Sequence, residues 1–379
     1  MMQRILFIHH SLEFGGAETQ LLHTLRHLAS QDNVKVHLVV YYPTELTKLR
    51  IAELEGVESY IVDKKRGLLG GVKTVLFLRG FIKNKNIDMV VTYLVGANLA
   101  GLIAGRWGGA KRIVWGLRVT NISSSTLGLK GRVLEAMMIW CSSFVDLVIA
   151  NSMASLNQYT DHGLKAKRKI VIPNGIDIDQ FDKNDDYRLK ARTMFHASSQ
   201  QIVIGTVSRL VEWKGYEIFL NAAQKLSVLN SNIVFVCIGS GKSKYEKSLI
   251  DLQHRIGLDS EKIQWLGNRG DISHLINGFD IFTLMSTSGE GLSNSLLEAM
   301  ATGVPVVATD VGDSRVAVGD FGTVISAGNS TQLVNAWLNI LAELDKAKTR
   351  ALEGRKHVRK EYCSSDNIQR FCDYLIDHR

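Results

Sequence analysis

Ser286 to Asp313 reads STSGEGLSNSLLEAMATGVPVVATDVGD, and the hydrophobic period changes twice around it. Residues 280–285 (DIFTLM) are a short apolar run ended by a Ser-Thr-Ser-Gly turn, the pattern of a buried strand. Leu292, Leu296, Leu297 and Met300 then recur at helical spacing, Gly303 can close the helix, and 304–310 (VPVVATD) returns to strand. The spacing therefore predicts a β-loop-α-β unit. Glu290 and Glu298 stand at either end of its Gly-containing turn. With the helix beginning at this turn, the amides of Gly291, Leu292 and Ser293 offer a seat for phosphate oxygens at the positive end of the helix dipole. Two acids beside an anion seat need other partners, and sugar or ribose hydroxyls donate to carboxylates without charge repulsion. Two plainer accounts stay open here: Ser295-x-x-Glu298 also fits a helix capping box, and Glu290 an ordinary solvated loop acid.

The same unit repeats outward in both directions. Strand patterns at 4–10, 34–42, 57–63, 87–94, 112–117 and 145–151 alternate with helical ones, and the alternation restarts at 202–208, 232–238, 262–266, 280–285, 304–309 and 322–326. Two such runs in 379 residues predict two doubly wound, Rossmann-like α/β domains with parallel sheets, facing one another across a cleft. The junction is expected near 169–181 (KIVIPNGIDIDQF), where Pro173-Asn174-Gly175 is turn chemistry. This gives domains at 1–172 and 173–355, followed by a tail, 356–379, whose Tyr362, Ile368, Phe371, Cys372 and Leu375 suit an amphipathic helix.

Charge is divided unevenly. Residues 1–172 hold 22 Lys and Arg against 12 Asp and Glu, whereas 173–379 hold 23 against 25. The first half thus suits an anionic surface, or is simply a basic domain kept soluble by its charge. Lys64-Lys65-Arg66, followed by an apolar segment with Lys73, Arg79, Lys83 and Lys85, is the best candidate for peripheral contact with an anionic membrane, set against a solvated basic face of a core helix. No stacking-aromatic nucleic-acid module is visible, so nucleic acid is not expected as a partner. Cys141, Cys237, Cys363 and Cys372 are scattered without CxxC spacing and read as reduced thiols, and no metal-ligand pattern is present, so no metal or cofactor is expected. One arginine followed by a short strand at the start of the chain predicts a cytoplasmic protein.

Both halves open with a strand leading into a loop and a helix. In the first, Gly15-Gly16 permits close backbone approach at the carboxyl edge of a first strand. In the second, Arg209 and Lys214 flank a short loop at the carboxyl end of a strand and can converge on one diphosphate, arginine through a fork of hydrogen bonds and lysine as a point charge. The run 239–243 (GSGKS) is not a P-loop, because Val236 stands where the first glycine is required. His9 and His10 read as residues of the first strand, with His10 toward the cleft.

Glu290-x7-Glu298 within SGEGLSNSLLEAMATGVPVVATD resembles the signature of retaining GT-B glycosyltransferases of family 4. GGAE, with Glu18, is similar to the family's glycine loop near donor phosphates and acceptor; G-x-x-S-R-L-x-x-x-K-G and the loop at Gly239 resemble its donor-binding segments, and residues 265–267 (WLG) the one that holds the base. IPNGID, with Asn174, is similar to the interdomain segment, and the tail resembles the helix that crosses back onto the first domain. Many relatives place a histidine where WGLR puts Arg118, and this variant looks like a subgroup of bacterial surface-polysaccharide enzymes. A permanently charged Arg118 cannot be a general base, which leaves phosphate binding, stabilisation of developing negative charge or a salt-bridged framework role. The resemblance implies retention of configuration, with Glu298 on the ribose and Glu290 orienting the sugar. The expected reaction moves a hexose-type sugar from a UDP- or GDP-sugar, UDP favoured, to a lipid-linked or oligosaccharide acceptor in polysaccharide assembly at the inner face of the membrane. Two other classes share this architecture: a nucleotide-sugar isomerase of the UDP-sugar 2-epimerase kind, and a nucleotide-sugar-binding regulator without turnover.

Overall fold

The computed structural model describes residues 2–12, 16–42, 44–62, 67–118 and 128–376. They divide into two compact units, 1–175 with 365–379, and 176–364. In the first, β1 (Gln3–His9), α1 (Gly16–Ala29), β2 (Val34–Val40), α2 (Glu45–Ala52), β3 (Val57–Ile61), α3 (Leu68–Asn84), β4 (Met89–Tyr93), α4 (Val95–Gly108), β5 (Arg112–Leu117), α5 (Leu129–Cys141), β6 (Leu147–Ala150), α6 (Met153–Asp161) and β7 (Arg168–Val171) alternate along the chain. All seven strands are parallel, in the order β3-β2-β1-β4-β5-β6-β7. Sheets of this kind are covered on both faces, so their strands are apolar throughout. Leu6, Ile8, Val90 and Trp115 pack beneath α3, α4 and α5 on one face, while Ile5, Phe7, Val91 and Val114 meet Leu21 and Leu25 of α1 on the other.

The second unit holds α7 (Asp185–Met194), β8 (Ile202–Val207), α8 (Tyr216–Leu229), β9 (Ile233–Ile238), α9 (Ser243–Arg255), β10 (Ile263–Trp265), α10 (Ile272–Ile276), β11 (Ile281–Leu284), α11 (Asn294–Thr302), β12 (Val306–Thr309), α12 (Ser314–Val318), β13 (Thr323–Ile325), α13 (Ser330–Ala342) and α14 (Leu344–Glu361). Its six parallel strands run β10-β9-β8-β11-β12-β13. Tyr216, Phe219, Leu220, Ala223 and Leu226 recur at helical spacing on α8 and meet Phe235 and Trp337 in the core. At the amino edge of the sheet, Asp280 is buried and accepts from Arg188 (2.6 Å), Arg192 (2.9 Å) and the Val203 amide (2.9 Å), which docks α7 on β8 and β11.

Every strand pattern read from the sequence corresponds to a strand here. The domain boundaries differ from those expected: the first break lies at 175/176 and the second at 364/365, not at 172 and 355. Residues 356–361 are still part of α14, whose Val358 sits in the core of the second unit, and only α15 (Ser364–Ile376) turns Ile368, Phe371, Cys372 and Leu375 into the core of the first. Ile176 and Cys363 pair as a short parallel bridge, so the two segments at which the chain passes from one unit to the other lie side by side although far apart in sequence. In each sheet the strand order reverses once, between β1 and β4 and between β8 and β11. Open α/β sheets bind ligands outside the carboxyl ends of strands at this switch point. His9 and Tyr93 mark it in the first unit, and Val207 and the 286–291 loop in the second.

Candidate active site

In the second unit, β11 delivers the chain to Ser286, and β8 delivers it to Arg209 and a short turn over Glu212–Lys214. The two loops interlock: the Thr287 amide donates to the Trp213 carbonyl (2.7 Å), and Gly215 lies so close to the Met285 carbonyl oxygen that a Cβ would stand 2.1 Å from it. That packing drives Lys214 into the protein, where its ammonium ion-pairs with the Glu290 carboxylate and lies 4.6 Å from the centre of the Trp213 ring. Ser286 Oγ donates to the same Glu290 oxygen at 2.6 Å. Glu290 is 6% exposed, so it is a buried, paired acid and not a solvated loop residue. Glu290 and Lys214 thus form one unit, in which the lysine charge is largely spent on the carboxylate.

Glu298 is different. On α11, half-buried, its carboxylate has no hydrogen-bond or ion-pair partner among the described residues, and burial pushes it up to about 7. The capping-box account fails, because Ser295 lies inside the helix and Ser293 is the cap residue, with no side-chain bond to the backbone. The start of α11 corrects the expected anion seat. The first intrahelical bond runs from the Leu297 amide to the Ser293 carbonyl, so of the expected seat Ser293 stays at the helix start as its cap, beside the Ser295 and Leu296 amides, while Gly291 and Leu292 precede the helix. Gly291 and Leu292 are buried loop residues, held where the Asp313 amide donates to the Gly291 carbonyl (2.8 Å).

Arg209 is exposed, makes no ion pair among the described residues, and lies 6.0 Å from the Trp213 ring centre. The Leu210 amide donates to the Ser240 carbonyl, joining the β8 loop to the 239–241 loop at the same sheet edge. Gly239 adopts φ 140°, and a Cβ there would meet the Ser208 carbonyl oxygen at 1.9 Å. Gly239 is therefore required by the approach of two backbones. Trp265 donates its indole N–H to Gln253 and leans on Tyr216, as a framework residue would.

In the first unit, Gly15 lies outside the described residues, as do Lys64, Lys65, Arg66 and most of the Ser- and Thr-rich loop after Arg118. Gly16 opens α1, and Glu18 in its first turn acts electrostatically on Arg50. Arg118 and Asn174 come together: the guanidinium donates to Asn174 Oδ1 at 2.6 Å and packs 5.2 Å from the Tyr93 ring centre and 6.0 Å from that of Phe371. Gln20, which sequence reasoning did not single out, clamps Gly175 by accepting from its amide and donating to its carbonyl. His9 is buried, and its Nδ1 lies 2.7 Å from the Ser11 carbonyl oxygen. Burial, reinforced by the Arg118 charge, lowers its pKa to about 4, which favours the neutral imidazole at pH 7. Ser286, Gln20 and His9 carried no motif; each was brought to its place by strand order.

Comparison with known proteins agrees with both sheets. Residues 14–180 match the family model described as Glycosyltransferase Family 4, and 201–343 that described as Glycosyl transferases group 1. The chain is 25% identical over 291 residues to the UDP-Gal:alpha-D-GlcNAc-diphosphoundecaprenol alpha-1,3-galactosyltransferase of Escherichia coli, covering 72% of this chain and 71% of that protein. It is 30% identical over 178 residues to a D-inositol 3-phosphate glycosyltransferase of Mycobacterium sp. (strain KMS), which spans 46% of this chain and 39% of that one. Among solved structures, Anabaena HepE in complex with UDP and glucose superposes with a TM-score of 0.84 at 25% identity, covering 98% of this chain and 99% of HepE. WaaG, a glycosyltransferase involved in lipopolysaccharide biosynthesis, shares the fold with a TM-score of 0.78 at 17% identity over 98% of this chain and 99% of WaaG. Two parallel sheets, the second with Glu290 on the loop after β11 and Glu298 on the helix that follows, each matched by its own family model, place this chain among the GT-B glycosyltransferases of family 4.

Proposed function

We propose that this glycosyltransferase is a retaining, metal-independent hexosyltransferase that moves a sugar from a UDP-sugar to a lipid-linked or oligosaccharide acceptor in cell-surface polysaccharide assembly, working in the cytoplasm at the inner face of the membrane. The observation that carries the reading is the buried knot of Lys214, Glu290 and Ser286 at the β8/β11 switch point, with the partnerless Glu298 beyond it. UDP and glucose in the HepE complex, and the UDP-galactose named for the E. coli relative, favour uridine.

In the reaction, the bond from the anomeric carbon to the β-phosphate oxygen breaks and the acceptor oxygen takes its place. Negative charge grows on the departing phosphate. Arg209, whose charge no described acid offsets, the part of the Lys214 charge that Glu290 does not neutralise and the Ser295 and Leu296 amides would answer that charge without a metal ion. The acceptor proton passes to the leaving phosphate, so no protein base is required. Glu290, locked by Lys214, would fix the sugar hydroxyls, and Glu298 would accept from the ribose. Incubation with labelled UDP-hexoses, with and without a membrane lipid extract, checks this: the expected label appears in lipid with EDTA present and with the anomeric configuration kept. Rearranged nucleotide sugar without acceptor, or binding without turnover, overturns it.

A further inference from the structure

Three neighbouring helices of the first unit share an unusual surface. α3 packs on α4 and α4 on α5, and their inner residues, among them Leu78, Ala97 and Met138, are spent in the core. Helices of that kind ordinarily turn polar residues outward. Here the outward positions are apolar as well. On α3, Leu69, Val72 and Leu76 are exposed about one turn apart, and on α4 so are Ile103 and Trp107. α5 continues the stripe with Leu129, Val133, Met137 and Trp140, its two ends 79% and 78% exposed. Large apolar side chains exposed on three helices that pack side by side mark a candidate interaction site.

Charge decides what covers it. The three helices contain Lys73, Arg79, Lys83, Arg106, Lys130 and Arg132 but one acid, Glu135, and that acid is buried, accepting a bond from the Tyr159 hydroxyl. Arg106 is matched by Asp146, and Arg79 lies over the Trp107 ring at 4.2 Å, joining α3 to α4. The outward face of these helices thus offers cations and tryptophan with no carboxylate of its own. A protein partner of mixed charge finds nothing there for its lysines, whereas an anionic bilayer supplies phosphates for every cation and an interfacial layer for indole and leucine.

We propose that the α3-α4-α5 face is a peripheral docking surface for an anionic phospholipid bilayer. It rests on the lipid-linked acceptor reading and deepens it by assigning the surface that meets the lipid. Leu69 and Leu129 lie in the first turns of their helices, and a crossover helix starts at the carboxyl edge of a parallel sheet, so the face reaches the edge that carries Arg118. Lys85, by contrast, is turned away to Glu58.

Flotation of the full chain with vesicles of phosphatidylcholine alone, or mixed with phosphatidylglycerol, tests it. Binding is expected to the anionic vesicles only, and to fall as salt is raised. Leu129→Asp with Trp140→Asp should lower the bound fraction more than about tenfold, and Lys130→Glu with Arg132→Glu should do so by a similar factor. The second pair touches only exposed side chains, so it provides an arm in which the fold is preserved, checked by an unchanged melting temperature. Failure to float with anionic vesicles, flotation of the variants equal to wild type, or self-association that the variants abolish would each overturn the proposal. UDP binding in vesicle-free buffer separates the two readings: flotation without UDP binding sinks the transfer reading alone, and UDP binding without flotation sinks the docking face alone.

Discussion

Lys214 and Glu290 are each other's reason for being buried. Removing one partner leaves an uncompensated charge in the interior, which costs about 3–5 kcal/mol, whereas replacing both by apolar groups is often close to neutral. Lys214→Ala should therefore lower stability by about that amount in urea titration as well as abolish transfer. Lys214→Met with Glu290→Leu should recover most of the stability and none of the transfer, which separates the structural work of the pair from its chemistry. Glu298 makes the opposite prediction. Burial holds its carboxyl protonated to about pH 7 in the folded chain, against 4.5 when unfolded. Between those values the unfolded state binds fewer protons, so stability is fully present below 4.5 and declines as pH rises toward 7. Glu298→Gln should be the more stable protein at pH 8, by an amount on the order of 1–2 kcal/mol after allowing for partial exposure, with the gap closing by about pH 5 in paired thermal melts. Ribose hydroxyls donate to the ionised form, so UDP affinity should rise with pH up to about 7 and level off above it, a trend that Glu298→Gln removes.

At the scale of elements, the site is made by loops that hold one another by backbone. Gly239 is the clearest case, since its positive φ and a Ser208 carbonyl oxygen only 1.9 Å from where a Cβ would stand exclude every other residue. Gly239→Ala should cost more than about 2 kcal/mol, from strain and displaced backbone together, and should weaken UDP binding by moving the β8 loop. A denaturant midpoint unchanged from wild type would show that the two loops are not coupled. The position of α11 also shows how far periodicity reaches. Leu292 fits the helical spacing of Leu296 and Met300, yet the helix starts at Asn294, because Gly291 is pinned by the Asp313 amide and Gly312 crowds the carbonyls of Glu290 and Gly291. Those contacts come from the far end of β12. No local pattern contains them.

At the scale of the whole molecule, two sheets with one topological reversal each bring the chemistry to the carboxyl edges, and the prediction that belongs here is linkage. A donor that binds only folded protein stabilises it by about 2.7 kcal/mol at a hundredfold excess over Kd. UDP-sugars should raise the melting temperature, and UDP should do so in EDTA. Sugars without the nucleotide should do little, since Arg209, the Ser295 and Leu296 amides and Glu298 would answer phosphate and ribose. Among the described residues no helix is long and apolar enough to cross a bilayer.

The order of strands and helices, the parallel sheets, the acid pair and the cations of the β8 loop were all legible in the chain, because hydrophobic period and turn chemistry are local properties of a few consecutive residues. The pairing of Lys214 with Glu290, the clamp of Gln20 on Gly175, the isolation of Glu298 and the shared apolar face of α3, α4 and α5 were settled by tertiary structure alone. Each joins segments far apart in the chain, and burial, charge pairing and exposure exist only once those segments have been brought together.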